Sequence, residues 1–131
     1  MHLYRILSVG LDPFLLRKRS RLLQAAGHAV LSSSTLKDAV DQLRASPVDL
    51  ILLCRSIPAI DRERLTCLIR ASGYLIPIIA IAETRDHRDN FPDATLEEED
   101  ESSFLWQVQK IATKAAKRTA PHAVSTTRRS A

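Results

Sequence analysis

"PVDLILLCRSIPAID", residues 47–61, places an unbroken apolar run from Leu50 to Leu53 between an acid and a thiol. No polar residue alternates within the run, so both faces of such a strand need cover, as in a parallel sheet with helices on each side. Cys54 ends the run and Pro58 closes the loop that follows it. In open α/β sheets, ligands sit outside the carboxyl ends of the strands. Cys54 is therefore the first residue whose chemistry has to be explained.

The flanking sequence repeats the same unit. "YRILSVG" (4–10) reads as a strand and leads into "DPFLLRKRSRLLQAAG". In that segment Asp12 suits an N-cap, Pro13 the first helical position and Gly27 the C-terminal cap. "HAVLSS" reads as a second strand. Thr35 with Asp38 resembles a capping box, and Leu36, Ala39, Val40 and Leu43 form a helical stripe that Pro47 stops. "DRERLTCLIRASG" is read as a third helix with Leu65, Leu68 and Ile69 inward, and "IPIIAIA" (76–82) as a fourth strand. "ETRDHRDNFP" is polar and carries no helical stripe, "DATLE" reads as a marginal fifth strand, and "ESSFLWQVQKIATKAAKR" as a closing helix. In the closing helix Phe104, Leu105, Val108, Ile111, Ala112 and Ala115 are expected to face inward. The expected fold is α/β and flavodoxin-like: a doubly wound, five-stranded parallel sheet with the fourth helix shortened or missing.

At 131 residues and 45% hydrophobic, the chain suits one core. Residues 110–131 hold six of the 19 Lys and Arg and none of the 15 acids, leaving 13 bases against 15 acids in residues 1–109. The basicity thus belongs to the end of the chain. Residues 1–118 are expected to form the domain and 119–131 a basic, disordered tail. That tail is either a solubilising end or a contact to nucleic acid through Arg128 and Arg129. No run approaches the length needed to cross a bilayer, and no signal segment is apparent, so a cytoplasmic protein is expected. Cys54 and Cys67 lack metal-ligand or CxxC spacing and are expected to be reduced, buried thiols.

With these motifs in order, the chain from about Tyr4 to Lys117 resembles the receiver domain of bacterial two-component response regulators. The resemblance rests on "YRILSVGLDP", "AAGHAV", "PVDLILLCRSIPAID" and "IPIIAIA". It implies a CheY-like fold. It also implies positions for a magnesium-binding acidic pair, an aspartate acceptor, a hydroxyl residue and a lysine. Those positions fall here on Gly10 and Leu11, on Cys54, on Ala82 (with Thr84 two residues on) and on Glu98. Asp12 survives nearby, where an N-cap role competes with a ligand role. The family's aromatic switch position falls on Thr95. Magnesium takes oxygen ligands, and phosphoryl transfer needs positive charge around the transferring group. A degenerate receiver without metal, cofactor or conventional aspartyl phosphorylation is expected.

Three functions follow as expectations. The first is a phosphorylation-independent interaction module for a signalling or transcription-related protein, with homodimerisation possible. Its candidate interfaces are Trp106 with Lys110 on the last helix, and Arg17, Lys18, Arg19 and Arg21 on the first, where an acidic partner or the "EEEDE" run of a second copy would fit. Trp106 falls off the inward stripe, and packing beneath residues 83–95 is the competing reading. The second is redox sensing through Cys54 beside Arg55, set against an inert buried thiol. The third is nucleic-acid association through the tail and first helix, although the folded part is not basic overall and shows no stacking platform. His2, His28, His87 and His122 are scattered and no catalytic motif is present, so no enzyme is expected.

Overall fold

The computed structural model describes residues 3–82, 94–97 and 103–114. Its strands are β1 (Arg5–Val9), β2 (Ala29–Ser33), β3 (Leu50–Leu53), β4 (Ile78–Ala82) and β5 (Ala94–Glu97). Its helices are α1 (Pro13–Ala25), α2 (Leu36–Ala45), α3 (Ala59–Ala71) and α4 (residues 103–114). The sheet is parallel and ordered β2-β1-β3-β4-β5, the flavodoxin-like winding. At its centre β1 and β3 are held in register by Ile6 opposite Leu50 and Val9 opposite Leu53.

Local chemistry sets the helix ends. Asp12 Oδ1 accepts the amides of Phe14 and Leu15, and Pro13 occupies the first turn. Gly27, at φ +99, takes the left-handed position after α1 that glycine adopts without strain. Thr35 Oγ1 accepts the Asp38 amide at 3.0 Å, and α2 stops at Ala45 before Pro47.

Alternating strand residues supply two cores. Ile6, Leu50, Leu52, Ile79 and Ile81 pack beneath Leu23 of α1 and Phe104, Val108 and Ala112 of α4. Leu7, Val9, Ile51, Leu53 and Ile78 pack beneath Ala39 and Leu43 of α2 and Leu65 and Ile69 of α3. All four residues of β3 are buried, two on each side of the sheet, which is why the strand carries no polar alternation.

Three expectations are corrected. Leu68 is largely exposed, and Thr66 takes the inward place, its hydroxyl donating to Arg62 O at 2.8 Å. Residues 62, 65, 66 and 69 share one side of α3, whereas 68 is rotated away. For the same reason Cys67 is exposed and not a core thiol. Arg19 is buried at 7% exposure and leaves the basic surface to Arg17, Lys18 and Arg21. It lies three residues after Leu16 and four before Leu23, both buried, so its stem follows the inward stripe. The expected shortening of the fourth helix, Ala115 and the tail lie outside the described residues.

Candidate functional site

The carboxyl ends of β1 and β3 bring Gly10 and Cys54 together. Cys54 N donates to Val9 O at 2.8 Å, and the Cys54 side chain is 1% exposed. From α1, Arg19 Nη1 donates to Cys54 Sγ at 3.3 Å, while its guanidinium carbon lies 5.9 Å from the Phe104 ring centroid. The position where the resemblance places an acceptor carboxylate thus holds a sulfur under a guanidinium. Neither group is a ligand for a hard cation.

Gly10 explains the packing. A Cβ on this residue would stand 3.0 Å from Cys54 Cβ, 3.1 Å from Sγ and 3.3 Å from Ser56 Oγ. The space that an acidic side chain needs to leave the backbone here is filled by the thiol. Leu11 is exposed and supplies no side-chain oxygen. Asp12 remains, and its carboxylate caps α1 through Oδ1. The residues at the positions where the resemblance places magnesium ligands therefore do not fit the ion. Among the described residues no cluster of three or more His, Cys, Asp or Glu could hold a metal.

Ser56, in the loop after β3 that ends at Pro58, joins the two loops. Its Oγ accepts the amides of Leu11 at 2.9 Å and Asp12 at 3.3 Å, so one hydroxyl fixes the β1–α1 turn against the β3–α3 turn. No local pattern announces this contact, because its partners lie about 45 residues away in sequence. Ala82 ends β4 opposite Glu97 of β5. Thr95 lies in β5, whereas Thr84 and Glu98 lie outside the described residues.

The candidate interface residues Trp106, Lys110, Arg17 and Arg21 are all exposed. Trp106 stands 63% in solvent with Lys110 Nζ 4.9 Å from its ring centroid. Three exposed apolar residues that the sequence reading did not single out as a surface, Leu11, Phe14 and Ile60, lie at the carboxyl end of the sheet. Among the described residues no helix is long and apolar enough to cross a membrane.

Beneath α1, the other end of the sheet carries His28. It is buried, its Nδ1 accepts the Tyr4 amide at 3.1 Å, and its ring stacks on Tyr4 at 5.8 Å. Burial lowers its pKa below the usual histidine value.

No protein-family model matches the chain, and no curated protein matches it in sequence. Solved structures do. A CheY-like response regulator receiver domain from Methanospirillum hungatei aligns with TM-score 0.76 at 16% identity, covering 89% of this chain and 99% of that one. A second from Methylobacillus flagellatus gives 0.72 at 18%, covering 84% and 99%. Response regulator protein TrrA from Thermotoga maritima, in complex with Mg2+-BeF, gives 0.72 at 19% with the same coverage. At this level of identity the likeness speaks for architecture, and the chain has the CheY-like receiver fold.

Proposed function

We propose that the protein is a pseudo-receiver: an interaction module in signal transduction or transcription control whose binding does not depend on aspartyl phosphorylation. The carrying observation is the Gly10–Cys54 contact, with Arg19 donating to the sulfur. At the positions of a carboxylate acceptor and its magnesium ligands stand a thiol, a glycine and a leucine, none of which offers a side-chain oxygen to a hard cation. The partner surface consistent with this reading is the exposed apolar rim of Leu11, Phe14 and Ile60, beside the dismantled site. Incubation with acetyl phosphate and Mg2+, followed by intact-mass measurement, tests the proposal. An unchanged mass is expected, and a hydroxylamine-labile phosphate adduct overturns it.

One observation favours a second reading. A guanidinium beside Cys54 is the electropositive setting in which reactive cysteines are found, although the side chain is 1% exposed. Iodoacetamide at neutral pH separates the two: rapid alkylation of Cys54 supports a thiol sensor, and labelling confined to Cys67 removes it.

A further inference from the structure

Charge is segregated between the two helical layers in a way the total conceals. α1 carries Arg17, Lys18, Arg19 and Arg21 with no acid, and α4 carries Lys110 and Lys114 with no acid. These helices pack on the same side of the sheet, where both contribute to one core and Arg19 approaches Phe104. Tyr4 also links β1's entrance to α4 through a 3.1 Å contact between its hydroxyl and Thr113 Oγ1. On the opposite side, α2 and α3 mix signs: Asp38, Asp41, Asp61 and Glu63 stand among Lys37, Arg44, Arg62, Arg64 and Arg70. In sequence, the α1 segment and residues 102–131 together hold ten of the 19 bases and none of the 15 acids.

The α4 part of this side has more than charge. A groove there is lined by Trp106, Gln109, Lys110, Thr113 and Lys114. It offers an indole to stack on, an amide and a hydroxyl to hydrogen-bond, and two ammonium groups. An aromatic plane within a field of cations is the arrangement that holds unpaired bases and their phosphates. A protein-binding face of the same size favours aromatics and Arg but is depleted in Lys, whereas this groove carries two lysines.

We propose that the α1/α4 side is a docking surface for single-stranded nucleic acid. Trp106 stacks on a base, and Lys110 and Lys114, with Arg17, Lys18 and Arg21, take the phosphates. This extends beyond the pseudo-receiver reading and does not depend on the partner at the apolar rim. It also places the binding on the folded helices rather than on the tail.

Trp106 is the only tryptophan, so its fluorescence reports the event directly. The full chain is titrated with a thymidine oligonucleotide of about 15 residues and, separately, with polyglutamate of matched charge, at rising salt. Expected are saturable quenching by the oligonucleotide and an affinity that falls linearly in log–log form with salt. Lys110→Glu with Lys114→Glu, and Arg17→Glu with Arg21→Glu, should each weaken binding by about tenfold or more, with circular dichroism confirming the fold. Trp106→Leu should weaken it by roughly 5- to 150-fold while keeping the salt slope, as expected for loss of one stacked base. Three results overturn the proposal: no quenching at low salt; equal binding of polyglutamate, which points to an acidic protein; or charge reversals without effect while removal of residues 119–131 abolishes binding.

Discussion

The two sides of the sheet are built differently although the same strands supply both. Under α2 and α3 the packing is almost wholly apolar, with Ser33 and Thr66 the buried polar residues among those described. Under α1 and α4 the apolar cluster is interrupted by Ser8, Arg19, Ser20 and His28. Ser20 and Ser32 share a 2.7 Å hydroxyl contact, His28 accepts the Tyr4 amide, and Arg19 meets Cys54. One side thus serves cohesion alone. The other accepts buried polarity, and among the described residues its two helices carry bases and no acid.

The largest expected effect tests the polar side at its tightest point. Gly10→Asp drives a Cβ to 3.0 Å from Cys54 Cβ and buries a carboxylate, so urea unfolding should show a loss of about 4 kcal/mol or more. A Gly10→Asp protein as stable as the parent breaks the account of that site. On the apolar side, Leu53→Ala removes a fully buried side chain and should cost about 2–5 kcal/mol. Arg19→Met keeps the stem and removes the charge. Relief of a buried charge's desolvation and loss of the donor to Cys54 Sγ oppose each other, so a change within about 1.5 kcal/mol is expected. A larger loss would mean that Arg19 is structurally as important as the apolar core.

A pH dependence should separate the two sides further. His28 has its folded pKa lowered by burial, and its Nδ1 must stay unprotonated to accept the Tyr4 amide. The unfolded chain therefore binds a proton more readily, near the ordinary value of about 6.5. The contribution is complete above that pH and is lost as pH falls from there through the lowered folded value. Urea midpoints measured from about pH 8 to 5 should decline, and His28→Gln should flatten the decline. Smallest of all, Ser8 Oγ is buried with no hydrogen-bond partner among the described residues. Ser8→Ala should be neutral or stabilise by up to about 1 kcal/mol, and a clear loss would reveal a partner for that hydroxyl.

Patterns with short periods were legible in the sequence. The continuous run Leu50–Leu53, the Asp12 and Thr35 caps and the stripe Phe104, Val108, Ala112 act within one or two turns of chain, and the structure keeps them. What escaped was set by contacts across the fold. Arg19 was hidden among three other bases, although its spacing from Leu16 and Leu23 already placed it inward. Ser56 had no such signal. Leu68 and Cys67 were misassigned because an apolar residue type was allowed to outweigh helical phase. The positions of Gly10, Leu11, Asp12 and Cys54 were legible through the family resemblance, but that sulfur fills the space beside Gly10 was not.

That last contact means that residues 10 and 54 cannot be changed independently. An acid introduced at residue 10 alone meets the thiol, whereas a carboxylate introduced at residue 54 alone stands within reach of the Arg19 guanidinium. The two positions are thus coupled: the size of residue 54 decides what residue 10 can carry.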